Sequence, residues 1–122
     1  MIIYKTDDYY IEEHESEIPW LKIFTTTAYK ELTEVPKPLR LTLYGVMEII
    51  EEEMLVHYKP EKINIAAFGN YLPHMHIHVM ARFKEDSYFP EPMWGKKQRE
   101  TNLSLPSSKD FYSKLLQRVK VL

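Results

Sequence analysis

The amino-acid sequence predicts an α+β fold, namely an antiparallel sheet with one long central helix and a C-terminal helix. Candidate strands are clustered along the chain, and helices lie between the clusters and after them instead of alternating with single strands. The last two candidate strands are separated only by residues 69–73. A connection this short suits antiparallel pairing, because parallel strands need a long crossover.

Length and composition indicate one globular domain, residues 1–122. Sixteen Lys and Arg residues against 18 Asp and Glu residues give a net charge of −2, which argues against a broad nucleic-acid-binding surface. The chain has no cysteine, so disulfides, thiolate catalysis and cysteine zinc sites are excluded. No apolar run reaches the roughly 18 residues that a membrane span needs. Acidic residues precede any apolar run of signal-peptide length, so we expect a soluble cytoplasmic protein without a membrane partner.

Two strands are predicted in the first quarter of the chain. Residues 9–14 (YYIEEH) and 20–25 (WLKIFT) are rich in aromatic and β-branched side chains, which favour strands. Residues 16–19 provide a turn, so the two strands are expected to form a hairpin. Residues 26–32 predict a short helical turn after it.

The long helix is predicted from Leu39 to about His57, before Pro60. Its apolar positions recur every three or four residues, as on one face of a helix. These positions are Leu39, Leu43, Val46, Met47, Ile50 and Met54.

The second half of the chain predicts two further strands and the C-terminal helix. Residues 62–68 (KINIAAF) and 74–82 (HMHIHVMAR) are the strands, and a helix starts at about Ser108. Residues 85–106 contain three prolines and no periodicity. So long an irregular segment in a small domain is typical of a functional loop or an interface.

The histidines of HMHIHVM are the strongest functional signal. His74, His76 and His78 alternate, and alternate side chains of a strand share one face. We therefore expect three imidazoles on one surface, with the apolar residues between them in the core. An imidazole can act as a nucleophile, transfer protons or bind a metal near neutral pH. A phosphate ligand would favour protonated rings and a divalent metal neutral rings. A solvated strand face that carries histidines by chance is the third possibility.

The motif His-φ-His-φ-His-φ-φ resembles the signature of the histidine triad (HIT) nucleotide hydrolases and transferases. The resemblance runs from Ile18 to Gly95. Asn64 and Gly69-Asn70 match polar positions that the family places beside the phosphates. Arg82 and residues 86–95 are similar to a short bacterial branch of the family.

The resemblance implies a catalytic mechanism. The middle histidine, His76, would attack the α-phosphorus of a nucleotide and form a nucleotidyl-histidine that water hydrolyses. Its other ring nitrogen should then donate to a backbone carbonyl. His74 and His78 would bind phosphate oxygens or protonate the leaving group, and Asn64 and Asn70 would bind the nucleotide or its phosphates. No cofactor and no metal are implied.

The resemblance also implies the substrate class and the assembly. The expected substrates are adenine nucleotide esters, phosphoramidates or dinucleoside polyphosphates, and the expected assembly is a homodimer. Residues 9–13, which offer no evident pairing partner on one side, and the long aromatic loop are two candidate interfaces.

One position departs from the family pattern. Many members carry an early histidine in a strand that follows a proline, and the matching position here is Trp20, after Pro19. This departure motivates a second hypothesis, a nucleotide-binding module with little or no turnover. A third hypothesis is a metal-binding protein that uses the three strand histidines, although Glu85 and Asp86 are the only acidic residues nearby.

Overall fold

The computed structural model describes residues 1–122 and contains one five-stranded antiparallel sheet and two α-helices. The elements in chain order are β1 (Ile2–Lys5), β2 (Tyr9–Glu13), β3 (Trp20–Thr25), α1 (Lys37–Tyr58), β4 (Lys62–Ala66), β5 (His76–Arg82) and α2 (Lys109–Val119). The strand order is β1-β2-β3-β5-β4, and every neighbouring pair is antiparallel. The predicted α+β fold is confirmed. Neither helix is both long enough and apolar enough to cross a membrane.

The first strand was not predicted, and it corrects one expectation about the assembly. β1 pairs with β2, and β3 pairs with β2 on its other side. The prediction that residues 9–13 lack a partner is therefore wrong. The two edges of the sheet are β1 and β4.

Several elements differ from the predictions in their extent; β4, for example, ends at Ala66 and not at residue 68. β5 begins at His76 and not at residue 74. The helical turn predicted for residues 26–32 is absent, and a single 3₁₀ turn spans Leu32–Glu34. α1 begins two residues before Leu39, because Pro38 lies in the first turn, where a missing N–H costs no hydrogen bond.

The sheet has one face in the core and one face toward the cavity described below. Side chains of β3 and β5 such as Ile23, Ile77 and Val79 pack with residues of both helices in the main core. On the opposite face the register aligns Phe24 with His76 and Lys22 with His78. The alternation in HMHIHVM therefore separates the core from a polar, aromatic face.

Candidate functional site

A cavity of about 470 Å³ opens on this second face of the sheet. Strands β3 and β5 form its floor, and residues 68–72 and Trp94 form its walls. His76 and His78 both line it, with ring centroids 4.7 Å apart. A volume of this order is typical of sites for small molecules.

The proton of His76 is located by its backbone partner. Nδ1 of His76 lies 2.8 Å from the carbonyl oxygen of His74. A carbonyl oxygen only accepts hydrogen bonds, so Nδ1 carries the proton and Nε2 has the free electron pair. The ring of Phe24 stacks on the imidazole at a centroid distance of 4.6 Å and restricts its rotation. The carbonyl partner expected for the middle histidine is present.

The proton of His78 is located by a side chain from another strand. The indole Nε1–H of Trp20 donates to Nδ1 of His78 at 3.0 Å. Because an indole is only a donor, Nδ1 must be unprotonated, and the neutral ring carries its proton on Nε2. Burial, followed by the charges of His76, Lys22 and His14, lowers the pKa of His78 to about 4. His78 is therefore neutral at pH 7.

His74 is not among the residues that line the cavity, but its ring lies 5.2 Å from that of Phe24, the same ring that stacks on His76. Its ring Nε2 lies 2.6 Å from the carbonyl oxygen of Thr25, to which it donates. The N–H of Met75 donates to the carbonyl of Tyr29 and not to a neighbouring strand. The chain thus enters the sheet only at His76.

Comparison with known families agrees with this geometry. The model of the HIT domain matches residues 1–85, which is more than half of the chain. The chain belongs to the histidine triad (HIT) family. HIT proteins are nucleotide-binding hydrolases and transferases. A search of curated protein sequences found no significant match.

Solved structures of HIT proteins share the fold. A histidine triad protein from Sinorhizobium meliloti is 25% identical, with a TM-score of 0.76 over 96% of this chain and 87% of that one. A histidine triad protein from Bradyrhizobium japonicum is 22% identical, with a TM-score of 0.77 over 98% of this chain and 90% of that one. A histidine triad protein from Marinobacter aquaeolei is 21% identical, with a TM-score of 0.77 over 100% of this chain and 90% of that one.

The two asparagines suggested by the HIT resemblance lie in different places. Asn70 lines the cavity beside Gly69, whose φ of +76° favours glycine. Asn64 lies outside the cavity, where its side-chain oxygen accepts from Nη1 of Arg82 at 2.8 Å. The geometry therefore separates the two residues, and only Asn70 is next to the histidines.

Lys22 is a cavity residue of this HIT protein that the sequence analysis missed. It lies opposite His78 in the strand register, and its ammonium group is 3.3 Å from the carboxylate of Glu12. The alternation in WLKIFT puts Lys22 on one face of β3 with Trp20 and Phe24. That this face is also the histidine face follows only from the pairing of β3 with β5. Lys22 adds a positive charge beside the histidines.

Trp94, in the long irregular loop, forms part of the cavity wall. Its ring lies 4.9 Å from His78 and 5.2 Å from Trp20, in edge-to-face geometry, and 4.8 Å from Phe68. It is 49% exposed, so much of its surface is available to a ligand. The long irregular loop thus contributes directly to the cavity.

His14 contacts the same aromatic cluster. Its ring lies 4.1 Å from that of Trp20, on β3. Burial, followed by the charge of Lys22, lowers the pKa of His14 despite the opposing effect of Glu12. In this HIT chain, Trp20 is therefore packed between His14 and Trp94. The structure shows no group of three His, Asp or Glu side chains arranged to hold a metal ion.

Proposed function

We propose that this chain is a nucleotide phosphohydrolase or nucleotidyl transferase that forms a nucleotidyl-histidine on His76. The proposed substrates are adenine nucleotide esters, phosphoramidates and dinucleoside polyphosphates. The observation that carries the proposal is the hydrogen bond from Nδ1 of His76 to the carbonyl of His74. It leaves Nε2 as the unprotonated nitrogen of a ring that lines the cavity, as a nucleophile requires.

The reaction has two displacements. In the first, Nε2 of His76 forms a bond to the α-phosphorus, and the leaving group departs with the electron pair of its own bond to phosphorus. The imidazole becomes a cation, which the carbonyl of His74 stabilises through Nδ1–H. In the second, the oxygen of a water molecule attacks the phosphorus and loses one proton to solvent, and the electron pair of the N–P bond returns to Nε2.

The other residues bind and orient. His78 would donate its Nε2–H to a phosphate oxygen, and Lys22 and Asn70 would supply further donors. His74 acts through His76 and is therefore a positioning residue. The contact of Asn64 with Arg82 favours a structural function for that amide, so we assign it no contact with the phosphates.

The test is detection of the covalent adduct by mass spectrometry of the intact protein. Wild-type protein, His76→Ala and His57→Ala would be mixed with the 4-nitrophenyl ester of AMP in the presence of EDTA and quenched with acid at short times. His57 is a matched control, because it lies on α1 outside the cavity and contacts the carbonyl of Ser107. We expect an AMP adduct on wild type and on His57→Ala, and none on His76→Ala. AMP release by His76→Ala at the wild-type rate would contradict the proposal.

A nucleotide-binding module is the second candidate, favoured by one observation. By the family resemblance Trp20 matches the early histidine, and its indole N–H donates to His78, which removes one route for proton transfer. If AMP binds in calorimetry while no adduct and no product form from any of the substrates, the module is the better description.

We also propose the homodimer that the family resemblance implies. β4 is an edge strand, and Ile65 on it and Phe68 just after it are 43% and 58% exposed, which leaves apolar surface for a partner copy. Light scattering should give about twice the monomer mass of 14.6 kDa, and a monomer at micromolar concentration would exclude the dimer.

A further inference from the structure

We infer that the cavity selects substrates whose leaving group departs as an anion, such as a phosphate or a nucleotide, and discriminates against amine leaving groups, because Trp20 prevents His78 from acting as a general acid. This inference rests on the proposed function and ranks its substrates: phosphoramidates, which release an amine, should react more slowly than dinucleoside polyphosphates and aryl esters. Trp20 is in this view a positioning residue, since it acts only through His78.

The indole N–H of Trp20 occupies Nδ1 of His78. A histidine acts as a general acid only when both ring nitrogens carry protons, because loss of a proton from the neutral ring would leave an imidazolate. Protonation of Nδ1 in His78 would bring its N–H against the Nε1–H of Trp20, which lies 3.0 Å away. Two donors facing each other cannot form a hydrogen bond, so the cationic form of His78 is disfavoured.

The pair formed by Trp20 and His78 is buried and closely packed. Trp20 and His78 are each 7% exposed, so water does not readily replace the indole as the partner of Nδ1. The indole contacts His14 on one side and Trp94 on another, which restricts its rotation away from His78. The positive charge of Lys22, opposite His78 in the register, further opposes a cationic imidazole.

The other candidate general acids near the cavity are His76, His74 and Lys22. The proton on His76 is donated to the carbonyl of His74, and that on His74 to the carbonyl of Thr25. The ammonium group of Lys22 is paired with the carboxylate of Glu12, 3.3 Å away. The same ammonium charge attracts a leaving group that carries negative charge. Together these contacts favour anion departure, because the located protons of His74 and His76 are donated to backbone carbonyls and not to an amine.

The chemical balance distinguishes the two substrate types. When Nε2 of His76 bonds to phosphorus, a phosphate or aryloxide leaves with the electron pair of the P–O bond and takes any proton from solvent afterwards. An amine must receive a proton on nitrogen as the P–N bond breaks, because an amide anion is too basic to leave. General acid catalysis typically contributes about 10²–10⁴-fold to such a step.

The test compares leaving groups under single-turnover conditions, so that the rate reports adduct formation. The substrates are AMP esters of phenols from 4-nitrophenol to phenol itself, whose pKa is about 10, and adenosine 5′-phosphoramidate. For the wild type we expect rates that fall steeply as the phenol pKa rises, and a rate for the phosphoramidate at least about 10²-fold below that of the nitrophenyl ester. Comparable rates for the two would overturn the inference. No AMP from any substrate would instead overturn the proposed function, and this inference with it.

Two variants and one spectrum make the assignment to Trp20 specific. Trp20→Phe removes the indole N–H and keeps an aromatic ring, and Trp20→His introduces a group that can accept as well as donate. In both, the phosphoramidate rate should rise at least about tenfold relative to that of the nitrophenyl ester. An unchanged ratio in a folded variant would contradict the function given to Trp20. Imidazole ¹⁵N NMR of the wild type, which needs no variant, should show neutral His78 protonated on Nε2, and a proton on Nδ1 would overturn the inference.

Discussion

The guanidinium of Arg82 and the carboxylate of Asp86 form a buried ion pair with two hydrogen bonds, of 2.9 and 3.1 Å. The same guanidinium donates to the side chain of Asn64 on β4 and to the carbonyl of Glu91 in the long loop. This one cation therefore joins the end of β5 to its neighbouring strand and to the loop that carries Trp94.

The carboxylate of Asp86 also binds backbone amides of the long loop. Its carboxylate accepts hydrogen bonds from the backbone amides of Phe83, Tyr88 and Phe89. Burial alone would raise the pKa of Asp86, but the bonds from Arg82 and these amides outweigh it and lower the pKa. The carboxylate thus stays charged at neutral pH and holds the loop through several donors.

Asp86→Asn should destabilise the fold severely, because it leaves Arg82 as a buried cation without its partner. Such a loss typically costs about 3–5 kcal/mol of unfolding free energy. Urea unfolding followed by tryptophan fluorescence would measure it. The control is Glu100→Gln, which breaks the exposed pair with Lys97 and should leave the unfolding midpoint unchanged. Equal effects of the two changes would contradict the anchoring function.

The stability of the fold should decrease as the pH falls from about 6.5 to about 4, in part because of His78. Its folded pKa of about 4 lies below the ordinary value of 6.5, so in this window the unfolded chain binds a proton that the folded chain does not. This difference in proton binding lowers the free energy of unfolding by roughly 2–3 kcal/mol between pH 6.5 and pH 4.

Urea unfolding at several pH values would measure this dependence. His78→Gln should flatten it, whereas His57→Gln, a change outside the cavity, should retain the wild-type slope. An identical slope in wild type and His78→Gln would show that His78 titrates normally in the folded protein.

The charge of Lys22 should strengthen nucleotide binding. Lys22→Met is expected to weaken AMP binding about tenfold, which is about 1.4 kcal/mol. Glu12→Gln should have the opposite effect, because it removes the carboxylate that pairs with Lys22. Calorimetry at low and moderate salt would measure both. Lys84→Met, which changes an exposed lysine paired with Glu61, is the control and should bind AMP as the wild type does.

Trp94 should contribute to ligand binding more than to stability, because it is 49% exposed and lines the cavity. Trp94→Ala is expected to weaken AMP binding about tenfold, within the roughly 1–3 kcal/mol that a stacked base contributes. Leu41→Ala is the control, since Leu41 is similarly exposed on α1 and lies outside the cavity. Loss of thermal stability in Trp94→Ala with unchanged affinity would assign Trp94 to packing alone.

Most of the fold could be predicted from local patterns. The three-and-four spacing in α1 and the alternation in β3 and β5 repeat with the period of the backbone, so each element carries its own signal. β1 lacked such a signal, because it is four residues long, none of them is buried, and it is ordered by pairing with β2. The start of β5 was predicted two residues early, since the hydrogen bond from Met75 to Tyr29 depends on a loop that periodicity does not describe.

The sequence by itself determined the family, the alternation that puts His76 and His78 on one face, and the core beneath them. Only the tertiary structure decided which ring nitrogens carry protons, because those partners come from distant parts of the chain. Trp20 lies 58 residues before His78 in the chain. The two residues meet because β3 pairs with β5, although α1 and β4 lie between these strands in the sequence. Periodicity is a property of a single segment, whereas strand order and register depend on the energy of the whole sheet and core.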